Sequence, residues 1–195
     1  MRIVGGSLRG RRLLAPEDRA VRPTTDRARE TLFNILASRG VLRDAHVLDA
    51  FCGTGALGCE ALSRGSASAH FWDIAPASLS LARRNVEALG LEAVSTLARR
   101  DATRPSRCDG PAFTLVFADP PYGKGMGEAC AAALASGGWL RPDALLVLEE
   151  RAGSLPETLG GFETVDERRL GDTAFGFYSL EDDRAGLRRT AMKEL

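Results

Sequence analysis

Histidine and cysteine are scarce in this 195-residue sequence. There are two histidines, and the four cysteines, at positions 52, 59, 108 and 130, form no C-x-x-C pair. Structural zinc sites usually combine such pairs with clustered histidines, so the pattern argues against a metal site and favours free thiols in a reducing compartment. Cys52 lies in a glycine-rich segment without a neighbouring histidine. We therefore interpret it as a packing residue rather than a nucleophile.

Long apolar runs and an excess of one charge are also missing. No apolar run approaches the roughly 18 residues needed to span a membrane, and the first residues lack the apolar core of a signal peptide. We therefore expect a cytoplasmic protein. The 26 basic and 26 acidic residues cancel, so any affinity for nucleic acid must come from a local patch. The length and the 44% hydrophobic content suit a single core.

The spacing of apolar residues predicts a mostly parallel α/β sheet with helices on both faces. The predicted parts are a basic β-hairpin arm at 1–23, a main domain at 24–181 that begins with a helix at 24–38, and a tail at 182–195. The expected strands of the main domain are 46–51, 69–74, 94–98, 113–118 and 144–149, and the expected helices are 58–63, 76–90 and 127–135. Two final runs, 164–170 and 174–180, are joined by Gly171-Asp172, which predicts an antiparallel hairpin at the end.

A glycine-rich turn follows the first strand of the main domain. Asp49 lies near the carboxyl end of that strand, and Gly53-x-Gly55-x-x-Gly58 then opens a helix. In open α/β sheets ligands bind at the carboxyl ends of the strands, where glycines let the backbone approach closely. The spacing fits the dinucleotide fingerprint, with Asp73 near the position of a ribose-binding acid. This motif alone leaves NAD and S-adenosylmethionine open, because both carry an adenosine.

Three features favour S-adenosylmethionine over NAD. The Asp49 carboxylate would crowd a pyrophosphate but suits an ammonium group. Asp101 follows the third strand, where it could accept a hydrogen bond from an adenine amino group or, equally, cap a turn. The third feature is the terminal hairpin, which dinucleotide-binding domains ordinarily lack. The predicted cofactor-binding residues are Asp49, Phe51, Gly53, Gly55, Asp73, Asp101 and Ala102.

An Asp-Pro-Pro-Tyr motif, residues 119–122, follows the apolar strand 113–118. An exocyclic amine on a purine is a poor nucleophile, and two acceptors could hold it in line with a methyl donor: the Asp119 carboxylate and the Pro120 carbonyl, whose direction the adjacent prolines restrict. Tyr122 could stack on a base extruded from its helix. The alternative is a rigid turn at the end of a strand. The predicted catalytic residues are Asp119, Pro120, Pro121 and Tyr122.

Basic residues are concentrated in the first twelve positions. Four arginines there, within a chain of zero formal charge, predict a phosphate-contacting patch, although a solvated hairpin face would look the same. Lys124 lies between two glycines in a loop that could cover a flipped base or simply be flexible. The predicted RNA-binding residues are Arg2, Arg9, Arg11, Arg12, Arg22 and Lys124.

Four segments together resemble a known family, the bacterial 16S ribosomal RNA guanine-N2 methyltransferases that modify guanine 966. The matching segments are 1–11, 22–34, the glycine-rich turn continued to Gly65, and 119–122, and the resemblance extends from residue 1 to about residue 180. It implies a Rossmann-like methyltransferase that uses S-adenosylmethionine and acts on a guanine amino group, with the N-terminal arm and the Arg22 segment helping to form the RNA and cofactor surfaces. We expect 16S ribosomal RNA as the partner, within small-subunit particles, although the sequence leaves naked RNA open as the substrate. We also expect a monomer without a metal. Ala75 departs from the family pattern, which commonly has an acid there.

Other functions remain compatible with the motifs alone. Asp-Pro-Pro-Tyr also serves adenine-N6 methylation of DNA, and a related Asn-Pro-Pro-Tyr serves glutamine methylation of proteins. The aspartate in first place and the lack of room for a target-recognition domain favour RNA. An NAD-dependent oxidoreductase and a non-catalytic RNA-binding assembly factor are the remaining alternatives.

Overall fold

The computed structural model describes residues 1–15, 25–108 and 110–180. The predictions for Arg22, for a helix start at Pro23 and Thr24, and for the tail 182–195 lie outside the described residues. The chain divides into two compact units, Met1–Arg100 and Asp101–Leu195. In the part of the chain that the structure describes, no helix is long and apolar enough to cross a membrane.

The first unit begins with a short hairpin, residues 1–15, which we call the N-terminal hairpin. Arg2 and Arg12 face each other in an antiparallel bridge, and the Ile3 amide donates to the Arg11 carbonyl at 2.9 Å. The hairpin packs closely, because the side chains of Ile3 and Leu13 are buried. Ile3, Val4 and Leu13 therefore face inward, whereas Leu14 and the arginines of the hairpin are exposed.

The first helix, α1, spans Asp26–Ser38. The Thr25 hydroxyl oxygen caps it by accepting from the Ala28 amide at 3.1 Å, which satisfies one of the free N–H groups of the first turn. Apolar residues at helical spacing form a buried stripe on α1, which consists of Leu32, Phe33 and Leu36. The stripe also contains Arg29, which is 1% exposed and was not anticipated as a buried residue.

Three parallel strands form the centre of the first unit: β1 (His46–Asp49), β2 (Ser68–Asp73) and β3 (Ser95–Arg99). Their order in the sheet is β3-β2-β1. The helix α3 spans Pro76–Leu89. Pro76 begins this helix and Gly90, with a φ of 71°, follows its last residue, as the sequence predicted. The first strand ends at Asp49, two residues earlier than predicted, because the chain turns there into the glycine-rich loop. The other elements are α2 Ala56–Ser63 and a 3-10 helix Glu92–Val94.

In its described residues the second unit contains five strands: β4 (Phe113–Ala118), β5 (Leu140–Arg151), β6 (Thr158–Leu159), β7 (Phe162–Leu170) and β8 (Thr173–Leu180). Their order in the sheet is β4-β5-β8-β7-β6. β4 and β5 are parallel, and the remaining pairs are antiparallel, so the predicted terminal hairpin is present. Two expectations need correction. β5 is twelve residues long rather than the predicted 144–149, because its first residues are exposed and carry no apolar pattern. β6 was not predicted, because a strand of two residues is too short to show a pattern. The helix α4 of this unit spans Met126–Ser136.

Candidate functional site

The glycine-rich loop connects β1 to α2 at the carboxyl end of the parallel strands. Gly53 and Gly55 have φ values of 51° and 74°, a region in which a side chain is strained. Gly58 is required for a different reason, since a Cβ there would lie 2.3 Å from Cε1 of Phe71 on β2. The first two glycines therefore permit the turn, and the third permits α2 to pack on β2.

Asp73, at the end of β2, holds this loop in place. One carboxylate oxygen accepts from the Gly53 amide at 3.0 Å, and the other accepts from the Ala75 amide at 2.8 Å. The residue predicted to bind a ribose thus also connects β2 to the first glycine of the loop. Its binding to a ribose stays a prediction, and the hydrogen bond to Gly53 could not be read from the sequence.

Asp49 lies beneath the loop. Its side chain is 2% exposed, and one oxygen accepts from the Gly58 amide at 3.0 Å in the first turn of α2. Burial raises the pKa of the Asp49 carboxyl to about 7; the Gly58 hydrogen bond opposes this rise and the charge of Asp73 adds to it. A buried carboxyl of this kind gains from a nearby positive group, which would favour its charged form.

Phe51 and Cys52, which lie between Asp49 and Gly53, differ in exposure. Phe51 is half-buried, so part of its ring can meet a ligand. Cys52 is buried, and burial raises the pKa of its thiol far above the ordinary value, with the charges of Asp49 and Asp73 adding to the effect. A thiol that stays protonated is a poor nucleophile, which supports the interpretation of Cys52 as a packing residue.

Asp101 caps a turn at the start of the second unit. Its Oδ1 accepts from the Thr103 amide at 2.9 Å and from the Thr103 hydroxyl at 2.6 Å, and these bonds lower the pKa of the Asp101 carboxyl. Of the two interpretations drawn from the sequence, the turn cap is present in the structure. The contact to an adenine stays a prediction, as does that of Ala102, which is 2% exposed.

The Asp-Pro-Pro-Tyr motif begins directly after β4. Tyr122 is 38% exposed, and its hydroxyl donates to Oε1 of Glu149 at 3.0 Å and lies 3.5 Å from the Thr173 hydroxyl. Burial raises the pKa of the Tyr122 hydroxyl, opposed by the Thr173 hydrogen bond and reinforced by the nearby carboxylates of Glu149 and Asp119. Tyr122 therefore remains a neutral donor whose ring is held at its outer end.

Glu149 is a residue that the sequence analysis missed. The pairing of Ala118 with Leu148 places Asp119 and Glu149 at equivalent positions, one residue beyond the parallel pair of strands. The Glu149 side chain is only 4% exposed although it is charged. The available signal was an acid directly after the apolar run 144–148, at the same carboxyl edge as the Asp-Pro-Pro-Tyr motif.

The loop after the motif contains Lys124, which is exposed. The Gly123 amide donates to Oε2 of Glu150 at 3.2 Å, and both glycines of the loop have positive φ, with Gly125 preceding α4. One hydrogen bond thus fixes the start of the loop to β5. Nothing in these contacts tests the prediction that the loop covers a base.

The arginines predicted to contact RNA differ in their surroundings. Arg2 is 67% exposed and forms an ion pair with Asp26 at 3.4 Å, while Arg9 and Arg12 are also exposed. Arg11 donates to the Ala88 carbonyl of α3 at 2.5 Å, so its guanidinium is partly engaged. Among the described residues, no group of three or more histidine, cysteine, aspartate or glutamate side chains could hold a metal ion.

Comparison with known proteins identifies the family. The model of the family described as "Conserved hypothetical protein 95" matches residues 1–179. The chain belongs to this family. A family relative from Escherichia coli strain K12, named "Ribosomal RNA small subunit methyltransferase D", is 37% identical over 93% of this chain and 90% of its own length. A relative of the same name from Haemophilus influenzae is 30% identical over 91% of this chain and 93% of its own.

A solved structure supports the fold of this Conserved hypothetical protein 95 family member. An Escherichia coli protein with the provisional name methyltransferase yhhF is 35% identical, covers 93% of this chain and 98% of its own, and has a TM-score of 0.79. The predicted family resemblance is confirmed. So is the predicted fold class, a Rossmann-like α/β methyltransferase fold with an antiparallel C-terminal part.

Proposed function

We propose that the protein transfers a methyl group from S-adenosylmethionine to the exocyclic N2 amino group of a guanine in 16S ribosomal RNA, at position 966. The observation that carries the proposal is the Asp-Pro-Pro-Tyr motif at the end of β4, in which Tyr122 is anchored to the buried Glu149 at 3.0 Å. The small-subunit ribosomal RNA named for its relatives supports the substrate class.

The residues around the glycine-rich loop fit S-adenosylmethionine better than NAD. The carboxylates of Asp49 and Asp73 both bond to loop or helix amides, at Gly58 and Gly53 respectively. Two carboxylates there would repel a pyrophosphate, whereas they favour a ligand that carries ammonium and sulfonium charges. In our proposal Asp49, Gly53, Gly55 and Asp73 hold the cofactor, which supplies an activated methyl group.

Asp119 and Pro120 are assigned to the amine. The Asp119 carboxylate and the Pro120 carbonyl accept hydrogen bonds from the two amino protons, which turns the nitrogen lone pair toward the donor. The amine must lose one proton on methylation, and Asp119 is the only base among the four residues of the motif. Positioning is the main contribution of the protein, because the sulfonium already supplies the driving force.

Tyr122 is assigned to the base itself. The hydroxyl is held by Glu149 and Thr173 at one end, and 38% of the residue is exposed. A ring fixed in this way offers a flat surface for an extruded guanine, and stacking of a base on an aromatic ring contributes about 1–3 kcal/mol. Glu149 is then a positioning residue that acts through Tyr122.

The N-terminal hairpin is assigned to the RNA backbone. Arg2 and Arg12 lie directly opposite each other in the antiparallel bridge, and like charges in that arrangement repel. A phosphate bound by both guanidinium groups would relieve the repulsion, which Asp26 offsets at Arg2. We include Arg9, Arg11, Arg22 and Lys124 in the proposed RNA-binding set.

Ribosomal RNA from a strain that lacks the gene tests the proposal. We expect digestion and mass spectrometry to show the loss of one N2-methylguanosine from the 16S fragment that contains position 966, and its return with the intact gene. The gene carrying Asp119→Ala serves as the matched control and should not restore it. An unchanged 16S profile, or a loss of N6-methyladenine from DNA instead, would contradict the proposed substrate. Labelled methyl donor with purified protein, offered naked 16S RNA and small-subunit particles in parallel, identifies the form that is methylated.

A further inference from the structure

Asn85 is a buried polar residue of α3 with no role in the chemistry described above. It is 0% exposed, and its side-chain amide makes three hydrogen bonds. Oδ1 accepts from the Leu14 amide at 2.7 Å, while Nδ2 donates to the Leu14 carbonyl at 3.1 Å and to the Thr54 carbonyl at 2.9 Å. One side chain therefore bonds to two backbone segments that are 40 residues apart in sequence, since 54 minus 14 is 40.

In the proposed function, these two segments bind different ligands. Leu14 belongs to the N-terminal hairpin, which carries the arginines assigned to RNA. Thr54 lies between Gly53 and Gly55 in the loop assigned to the cofactor. Because Asn85 pairs with both the N–H and the C=O of Leu14, it acts on that residue as a neighbouring strand would, and it leaves Leu14 little freedom to move independently of Asn85.

The same helix face holds the hairpin at a second point. Arg11 donates to the carbonyl of Ala88, three residues after Asn85 and thus on a neighbouring position of the α3 surface. The loop is also tightly held, since the Gly55 amide donates to the Cys52 carbonyl at 2.6 Å and the Gly53 amide donates to Asp73. A shift of the Thr54 carbonyl is therefore passed to Leu14 through a single buried group.

We propose that Asn85 couples the glycine-rich loop to the N-terminal hairpin, so that a ligand in the loop orders the hairpin and the two ligands bind cooperatively. This inference rests on the proposed function, because it takes the loop as the cofactor site and the hairpin as an RNA surface. Asn85 is a positioning residue in this scheme. By linkage, RNA on the hairpin must strengthen cofactor binding by the same factor as the cofactor strengthens RNA binding.

The first experiment uses the unmodified protein with S-adenosylhomocysteine as the probe. Exchange of the Leu14 amide, followed by NMR, should slow by about fivefold or more when the probe saturates the protein. Calorimetry on the same sample reports whether the probe binds at all. Absence of binding contradicts the proposed function, whereas binding without a change at Leu14 overturns the coupling while leaving the proposed function intact.

The second experiment compares Asn85→Ala with Asn34→Ala. Asn34 is the exposed counterpart, and among the bonds described its amide oxygen accepts from the Arg64 guanidinium at 3.1 Å. For the unmodified protein and for Asn34→Ala, 16S RNA should bind about 5–150-fold more tightly with S-adenosylhomocysteine than without it. In Asn85→Ala that ratio should fall to about one. A folded Asn85→Ala protein that keeps the full ratio overturns the inference, and the exchange experiment decides it if the variant does not fold.

Discussion

The glycine-rich loop of the first unit and the Asp-Pro-Pro-Tyr motif of the second are built in opposite ways. In the loop, the acids are bonded to backbone amides: Asp49 is buried under Gly58, and Asp73 holds Gly53. In the motif, Tyr122 is held at its hydroxyl, and over a third of the residue is exposed. These backbone hydrogen bonds give the loop a defined form, as suits a small cofactor of constant shape. The motif leaves a ring face open, as suits a base that must enter from a large RNA.

The largest effect should come from breaking the motif without touching the loop. Asp119→Ala removes a fixed acceptor from the amine, and we expect methyl transfer to fall by about 10²- to 10³-fold, the range found when one preorganised hydrogen-bonding group is lost. Affinity for S-adenosylhomocysteine should stay within about twofold, because the loop lies in the other unit. Single-turnover transfer and calorimetry measure the two quantities, and substantial residual transfer would refute the role of Asp119.

Burial of Asp49 makes the loop unit sensitive to pH. Its pKa rises from 3.8 to about 7, so between these values the folded state keeps a proton that the unfolded chain has released, and stability falls as pH rises. Asp49→Asn removes this dependence. As the pH rises from 4 to 7.5, the free energy of unfolding of the variant should therefore increase, relative to that of the unmodified protein, by on the order of 3 kcal/mol.

Urea unfolding of both proteins at the two pH values measures this difference. Asp143→Asn changes an aspartate that is 60% exposed in its ion pair with Arg141, and it serves as the control. Parallel pH curves for Asp49→Asn and the unmodified protein would show that the Asp49 carboxyl is not perturbed in this way.

Gly58 tests the tight packing of the loop unit. Gly58→Ala places a Cβ 2.3 Å from the Phe71 ring, so α2 must move away from β2. We expect a loss of about 1–3 kcal/mol in stability and a matching loss of affinity for S-adenosylhomocysteine. Gly110→Ala is the matched control, because a Cβ there meets nothing within 4 Å. Equal behaviour of the two variants would mean that the third glycine has no packing role.

Substitutions at Tyr122 distinguish the contribution of its ring from that of its hydroxyl, which is bonded to Glu149. Tyr122→Ala should weaken productive RNA binding by about 1–3 kcal/mol, as for the loss of one stacked base. Tyr122→Phe keeps the ring but loses the bond to Glu149, and Glu149→Gln keeps an acceptor for the hydroxyl; both should cost less than the alanine variant. Steady-state kinetics should place these losses mainly in KM for RNA. An alanine variant no worse than the phenylalanine variant would argue against stacking.

The smallest effect is expected at the N-terminal hairpin. In a variant with both Arg2→Gln and Arg12→Gln, the slope of log affinity for RNA against log salt concentration should become smaller by about the equivalent of one to two phosphate contacts. The rate of methyl transfer to bound RNA should change little. Arg43→Gln removes an arginine that is 90% exposed elsewhere in the same unit, and it gives the effect of losing one positive charge, against which half of the double variant's effect is compared. A salt slope that changes equally per charge in both variants would remove the hairpin from the RNA surface.

The sequence predicted those parts of the molecule that repeat a local pattern. The loop, the strand before Asp119 and the terminal hairpin all carry apolar periodicity or glycine spacing. Glu149 and Asn85 escaped notice because a polar residue after an apolar run, or beside two arginines on a helix, looks like a surface residue. Their burial depends on segments 27 and 71 residues away in sequence, with which they form their bonds. The burial of Arg29 was not predicted for the same reason, because it bonds to the carbonyl of Arg2, 27 residues away in sequence.

The way in which the N-terminal hairpin is fastened affects the order in which the chain can fold. The Val4 amide donates to Glu60 at 2.8 Å, and the Leu14 amide donates to Asn85, so the partners lie 56 and 71 residues further along the chain. During synthesis this segment leaves the ribosome well before those partners do. Its arginines are therefore exposed without their scaffold while ribosomal RNA is close by, and the hairpin can be completed only after α3 has emerged.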